Sequence, residues 1–386
     1  MDQLILHTDV DCFAVSVERA RNPSLLERAI IIGVEAGGRG LVASASYEAR
    51  RLGARGGMPL SIARRRFPQA VFLPQDRLAY EAASHRLFEL LRNKAPVVEA
   101  CSMDDFYLDV TGCEALFGGD LLRWAQQVGR QVRGELGLPL SMGIAGNKMV
   151  ARIATALAKP SQMIRVTAGA EAEFLSPVSV HLLPGAGGAA YERLQGFGVR
   201  TIGELAAMGE ECLALLFGKA GTELWRRARG EYHEPVKATA LHRNLTQTQV
   251  LERDTADTRL LEAVAVRLAQ RIAWGLRRNQ LTATRASLEL TYSDGAMATH
   301  SLQLNTPTDS ERELIVAARK ALTASFQRRV RVRALRLKVW FIPRDAGQFD
   351  FLHEMERRSV RGLFQAIDEV RSRHGFGAMV SASAIN

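Results

Sequence analysis

The sequence predicts an α+β chain built from several domains, and three observations carry that expectation. Its 386 residues are 47% hydrophobic, enough for two to four cores rather than one. Short apolar runs end in carboxylates at two distant places, Leu4–Asp11 and Cys101–Val110, as buried strands do when they deliver acids to one end of a sheet. In the last third of the chain strands and amphipathic helices alternate, the pattern of a compact mixed module.

Composition narrows the class. The excess of 51 Lys and Arg over 41 Asp and Glu gives a net charge of +10, which raises the expectation of a polyanionic partner. Cys12, Cys101, Cys113 and Cys212 lack CxxC spacing, so neither a zinc site nor a disulfide framework is expected. No uncharged apolar run approaches the roughly 18 residues of a membrane span, and acids already occupy the N-terminal stretch. A cytosolic protein with no membrane partner is expected.

Leu4–Thr8 reads as a buried strand running into Asp9-Val10-Asp11. Phe13–Arg19 turns helical, and Ala29–Val34 is a second apolar strand before a glycine-rich turn. The next stretch sets small residues, Ala43, Ser44, Ala45 and Ser46, before Tyr47, Arg50 and Arg51, with a stop at Gly53. Small side chains beside Tyr and Arg suit a bound nucleotide, leaving room for a flat base and offering guanidinium forks for phosphates. A plain basic surface helix is the competing reading.

Leu78–Lys94 is a long amphipathic helix, with Tyr80, Leu87, Leu90 and Leu91 at helical spacing. It leads to CSMDDFYLDV, where Asp104 and Asp105 stand between apolar neighbours. Successive strand residues face opposite ways, and burying adjacent carboxylates is costly unless a cation lies between them. A hard divalent cation with oxygen ligands meets that need; a solvated turn is the alternative. The acidic strand at Asp9 favours the metal, provided the two strands lie side by side.

Leu121–Leu136 is a further amphipathic helix, Leu140–Ala145 a strand, and Asn147–Ala158 a helix ended by Lys159-Pro160. Lys159 can ride on the surface or reach a phosphate. Leu182–Leu205 reads as two short helices around tight turns; backbone amides at Gly185-x-Gly187 can face a phosphate, and a plain helical hairpin packed on itself is the alternative. Glu231–Ala240, polar and holding Pro235, reads as a linker. Helix Leu260–Leu276, strand Arg285–Tyr292, helix Ser310–Phe326 and strand Val330–Phe341 follow. In that last strand Arg331 and Arg333 share a face, and Arg336 and Lys338 extend the basic edge after a register shift near Ala334. Such a one-signed strand is expected to track phosphates; the alternative, a solvated sheet face, would mix both signs of charge. Past Pro343, Gln348–Leu352 (QFDFL) is a polar-then-apolar peptide of the kind that docks in a partner's groove, and Arg357–Arg373 is amphipathic.

HTDVDCFAVSVE, ASYEARRLGARGGMP, SMDDFYLDV, GIAGNKMVARIATALAKP and LPGAGG…GFGVRTIGEL occur in that order. Through them the chain resembles the Y-family (translesion) DNA polymerases, particularly the bacterial DNA polymerase IV branch, along essentially its whole length. The resemblance implies a multidomain right hand: palm over residues 1–11 and 76–165, fingers 12–75, a thumb with helix-hairpin-helix 166–233, a linker 234–241, a little finger 242–342, and a tail 343–386 with a clamp-binding-like peptide. It implies low-fidelity, template-directed synthesis with lesion bypass by a monomeric, cytoplasmic, nucleoid-associated bacterial enzyme.

The same resemblance implies two magnesium ions, with manganese as a substitute, held by Asp9, the Val10 carbonyl, Asp104 and Asp105, the three aspartates being the catalytic acids. Tyr47, Arg50 and Lys159 would grip the triphosphate of the incoming dNTP, with the Ser44 hydroxyl and backbone amides at Cys12, Phe13 and Ala14. Leu41 and Ala43 would roof the nascent pair. Gly185, Gly187, Arg331, Arg333 and Arg336 would contact primer–template DNA, and Gln348, Phe351 and Leu352 would anchor a sliding clamp.

The chain departs from the family pattern in three places. Asp105 stands where the family usually has Glu, one methylene longer, so weakened magnesium-supported catalysis is expected. Ala14 replaces the usual Phe or Tyr steric gate, so ribonucleotide incorporation is expected, because discrimination of this kind depends on a repulsive contact; the alternative is a neighbouring side chain that swings in to do the same job. QFDFL lacks the usual Leu-Phe ending. The main rival is a non-catalytic polymerase-like accessory protein, which loss of palm carboxylates would mark; Asp9, Asp104 and Asp105 are all present.

Overall fold

The computed structural model describes residues 3–34, 40–239, 244–344 and 351–384; of the side chains at 34, 114, 116, 343 and 351–361 only the backbone path is given. The strands in chain order are β1 (Ile5–Val10), β2 (Ile30–Val34), β3 (Leu41–Ala45), β4 (Val71–Pro74), β5 (Val97–Ala100), β6 (Asp105–Asp109), β7 (Leu140–Ala145), β8 (Met163–Arg165), β9 (Asn244–Thr255), β10 (Leu281–Tyr292), β11 (Met297–Thr308) and β12 (Val332–Pro343). They form three sheets within two compact units, Met1–Arg28 with Ala83–Leu241 and Ala29–Ala82 with His242–Asn386. The architecture is the expected multidomain α+β one.

In the first unit the sheet order is β5-β6-β1-β7-β8. β1 lies at its centre, antiparallel to both β6 and β7, so the two acidic strands are neighbours. A central strand covered on both faces reads as a continuous apolar run, and Ile5 and Leu6 are fully buried. Met142 and Gly143 alternate on β7. Gly129 of helix Leu121–Leu136 packs against the Met142 side chain on one face, while helix Lys148–Leu157 lies on the other. Its contact is close: a Cβ on Gly143 would stand 2.1 Å from the Ala151 carbonyl oxygen and 2.8 Å from Thr155 Oγ1.

Helices Glu171–Leu175, Ala189–Gly196, Ile202–Ala207, Glu210–Phe217 and Lys219–Ala228 follow. They share a core of Leu175, Leu183, Leu194, Ile202, Leu205, Leu213 and Leu224, continuous with Met149, Val150 and Ile153. A Thr201/Glu204 capping box starts the third of them. The expected linker has no regular structure over 231–239, yet it is tied to edge strand β5: Thr239 N donates to Val98 O (3.2 Å) and Lys237 N to Glu99 Oε2 (2.7 Å).

The second unit holds sheet β3-β2-β4, packed through Ile31, Val42, Ala45, Leu60 and Phe67, and the antiparallel sheet β11-β10-β12-β9. Helices Thr258–Arg278 and Glu311–Ser325 share the second sheet's core. β9 and β11 were not expected from the sequence. They are the sheet's edges, and little of either is buried, so the period-2 apolar signal is weak. The register shift expected near Ala334 is present between Val332 and Ala334. A C-terminal helix, Phe351–His374, begins within the expected docking peptide. Its far half is anchored by charge: Arg277 Nε donates to Asp368 Oδ2 (2.7 Å), Arg277 Nη2 to Glu311 Oε1 (3.0 Å), and the fully buried Arg371 also pairs with Glu311.

Candidate active site

β1 and β6 pair with Asp9 opposite Asp105 and His7 opposite Tyr107. Directly opposed residues project from the same face, so His7, Asp9, Asp105 and Tyr107 form one patch. β6 starts at Asp105; Asp104 lies just before it, half-buried, its carbonyl accepting from Val10 N at 3.0 Å and its Oδ1 accepting from Ser102 Oγ at 2.6 Å. The three candidate acids are thus brought together at the end of two adjacent strands.

The carboxylates do not share one environment. Burial pushes the Asp9 pKa up, and the nearby charges of Asp104 and Asp105 add to this, while Lys159, whose Nζ donates to Oδ1 at 2.6 Å, opposes it. Burial also pushes on Asp105, only 7% exposed; there the bond from His7, its charge and those of Arg152 and Lys159 prevail and hold the carboxyl below its ordinary value. Among the described residues no group of three or more His, Cys, Asp and Glu side chains is arranged to hold a metal ion.

One helix builds most of the supporting shell. Asn147 caps helix Lys148–Leu157 by accepting from Val150 N. Lys148, Arg152 and Thr155 recur at helical spacing and meet the patch in turn. Lys148 Nζ lies 4.8 Å from the Tyr107 ring centre and donates to Glu99 at 2.8 Å. Arg152 Nη2 is 3.5 Å from Asp105 Oδ2, and Thr155 Oγ1 meets His7 Nδ1 at 2.9 Å. The absent Cβ of Gly143, directly opposite His7, lets the helix approach this closely. Beyond the helix, buried Asp11 accepts from Ser141 Oγ (2.9 Å) and from the amide and hydroxyl of Ser161 (2.7 and 2.9 Å). It thereby fixes the loop that carries Lys159.

Sequence reasoning missed His7, Asp11, Arg152 and Thr155. His7 was recoverable, since two residues before Asp9 in a strand means the same face. Arg152 and Thr155 needed the helix-to-sheet docking, which spacing alone does not supply.

Cys12 adopts a left-handed backbone, φ 45°, between Asp11 and helix Phe13–Arg21, a conformation uncommon outside glycine. Phe13 is buried and Ala14 half-buried at the helix start. Leu41, Ala43, Ser44, Tyr47 and Arg50 belong to the second compact unit. The register of β2 and β3 pairs Ile32 with Ser44 and Gly33 with Val42. Ala43 is therefore the extra residue of a bulge, a device that re-aims side chains; it and Leu41 are exposed. Arg50 Nε donates to Ala45 O at 3.0 Å and its guanidinium lies 5.4 Å from the Tyr47 ring centre.

Gly185 and Gly187 lie in the turn before helix Ala189–Gly196, Gly185 with φ +93° and exposed. Arg331, Arg333 and Arg336 are exposed, while Val332, Leu335 and Leu337 are buried, so the basic residues do stand on the outer side. That side carries both signs of charge: Arg333 pairs with Asp254 (3.1 Å) and Arg336 with Glu289 (3.0 Å). Gln348, and the side chains of Phe351 and Leu352, lie outside the described residues.

The model of the impB/mucB/samB family matches residues 8–156, and that of the family's C-terminal domain matches residues 243–351. The chain is 34% identical to the DNA polymerase IV of Desulfatibacillum aliphaticivorans, over 100% of this chain and 97% of that protein. It is 32% identical to the DNA polymerase IV of Dehalococcoides mccartyi strain 195, over 97% and 96%. Among solved structures it is similar to DinB from Sulfolobus solfataricus, with a TM-score of 0.61 and 24% identity over 88% of this chain and 99% of that one. An insertion ternary complex of Dbh DNA polymerase gives 0.60 and 23% over the same shares. At those identities the structural likeness concerns the fold.

Proposed function

The chain belongs to the impB/mucB/samB family and is a Y-family, DNA-directed DNA polymerase of the DNA polymerase IV kind, and we propose that it extends a primer 3′ end across lesions through the acidic patch of β1 and β6. The observation that carries the proposal is the placement of Asp9 directly opposite Asp105, with Asp104 adjoining and Lys159 on Asp9.

The chemistry of the donors suits a divalent cation, although as the described side chains stand no three of them converge on one ion. The donors are hard oxygens, and mutual repulsion within the acidic set raises the Asp9 pKa alongside burial, an excess of negative charge that a bound cation would relieve. Asp9, the Val10 carbonyl, Asp104 and Asp105 are the residues that would hold two magnesium ions, or manganese in their place. When bound, such ions supply Lewis-acid activation of the primer hydroxyl and neutralise charge on the triphosphate.

The protein's own groups do the rest. Asp11 and Ser161 fix the loop that presents Lys159, whose ammonium has Asp9 on one side and is free to take a phosphate oxygen. Tyr47 and Arg50, with the Ser44 hydroxyl, form the second grip on the triphosphate, and backbone amides at Cys12, Phe13 and Ala14 add contacts at a helix start. Leu41 and Ala43 roof the nascent pair. Ala14 presents a methyl group where a ring would exclude a 2′-hydroxyl, so rNTP enters alongside dNTP. Gly185, Gly187, Arg331, Arg333 and Arg336 contact the backbone of primer–template DNA without reading sequence; Gln348, Phe351 and Leu352 engage a sliding clamp, and the enzyme acts as a monomer. Primer extension on undamaged and lesion-bearing templates tests this reading. Products on both support it, and none in either metal would favour the accessory-protein alternative.

A further inference from the structure

His7 plays no part in the proposed chemistry, yet it is 1% exposed and sits against the most unusual acid of the site. An ionised carboxylate only accepts hydrogen bonds, so the ring's Nε2 donates to Asp105 Oδ1. The ring is itself held on two other sides: Thr155 Oγ1 meets Nδ1 at 2.9 Å, and the Tyr107 ring lies 4.4 Å away, centre to centre. Thr155 is anchored in turn, with Oγ1 within reach of the carbonyls of Ala151 (3.0 Å) and His7 (3.2 Å). Three elements, β1, β6 and helix Lys148–Leu157, thus meet at the His7 ring, whose Nε2 is the contact to Oδ1. Among the described residues, the Arg152 guanidinium stands 3.5 Å from the other oxygen, Oδ2, on a side chain 58% exposed.

We propose that His7, backed by Thr155, is a positioning residue for Asp105: by holding Oδ1 it fixes the short acidic side chain in one orientation and leaves Oδ2 as the oxygen a divalent cation takes. The inference rests on the proposed ligand role of Asp105. Its logic is that of outer-shell groups around metal sites, which orient a ligand they do not share and whose loss costs about 10–100-fold in metal affinity or activity. An Asp that reaches one methylene less far than Glu has more to lose from rotating away.

The test is Mn²⁺ binding to the full-length, nucleotide-free protein by electron paramagnetic resonance, with single-nucleotide insertion kinetics beside it. His7→Phe keeps a ring and removes the donor; it is expected to weaken Mn²⁺ binding about 10–100-fold and to lower kcat while leaving KM for dNTP nearly unchanged. His7→Gln, which restores an N–H donor, recovers most of the loss. Thr155→Val gives a smaller loss in the same direction and serves if His7→Phe does not fold. Unchanged Mn²⁺ affinity in His7→Phe or Thr155→Val, with Asp105→Asn weakened, overturns the positioning role alone. Unchanged affinity in Asp105→Asn overturns the ligand reading beneath it.

Discussion

Lys159 Nζ stands 2.6 Å from Asp9 Oδ1, so one ammonium joins the loop after helix Lys148–Leu157 to the acid at the end of β1. Burial is the larger influence on Asp9 and raises its pKa above 3.8, with Lys159 opposing. In Lys159→Met the burial and the like charges act unopposed, and the Asp9 carboxyl of the metal-free protein is expected to titrate still higher, read by carboxyl carbon NMR. The linked stability has a definite sign. A carboxyl with a raised folded pKa takes protons more readily folded than unfolded, so stability falls as pH rises from about 4 through the folded pKa. Asp105, held low, does the reverse: its contribution is present above about 4 and is lost as pH falls through its folded pKa. The Lys159→Met variant should therefore lose more stability than the parent as pH rises above about 4.

Gly143 controls how closely the supporting helix approaches. Adding a Cβ there meets backbone at 2.1 Å, and overpacking of this kind costs about 1–3 kcal/mol. Gly143→Ala is expected to lower Tm by several degrees and, by moving Thr155 off His7, to reduce insertion rate beyond what the stability loss explains. A variant that melts like the parent would contradict the close docking.

At Ala14 the expected effect is on specificity. Restoring a ring with Ala14→Phe or Ala14→Tyr should raise discrimination against rNTP about 100-fold, about 2.7 kcal/mol in differential transition-state binding, with kcat/KM for dNTP little altered. Matched dNTP and rNTP insertion kinetics measure it. Strong rejection of rNTP by the parent, unimproved in either variant, would show that another side chain serves as the gate.

Asp105→Glu returns the missing methylene. An increase of about tenfold in magnesium-supported insertion, some 1.4 kcal/mol, is expected, with a smaller increase in manganese. Equal rates for parent and variant in both metals would remove the significance attached to the shorter acid.

The pairing of the acidic strands was expected because an apolar run ends at Asp9 and Asp104 and Asp105 stand between apolar neighbours, a costly set of acids unless they lie side by side around a shared cation. Helices with strong caps and clear apolar spacing, such as Leu121–Leu136 and Thr258–Arg278, were legible for local reasons. β9 and β11 were not, since an edge strand needs little apolar patterning. The expectation of a one-signed basic face on β12 could not anticipate Asp254 and Glu289, which come from neighbouring strands. Nor could spacing reveal that Asp105 is held by His7 and Asp9 by Lys159, because both contacts join residues about 100 or more positions apart and depend on sheet register and helix docking.

The most direct measurement is single-nucleotide insertion on a matched primer–template by the full chain and by its Asp9→Asn, Asp104→Asn double variant, in magnesium and in manganese, with DNA binding followed in parallel. Insertion by the parent in both metals, a fall of at least about 1,000-fold in the double variant, roughly 4 kcal/mol, and unchanged DNA affinity are expected. Insertion that survives the double substitution, or a parent that binds the DNA and inserts nothing, would contradict catalysis by the acids of β1 and β6.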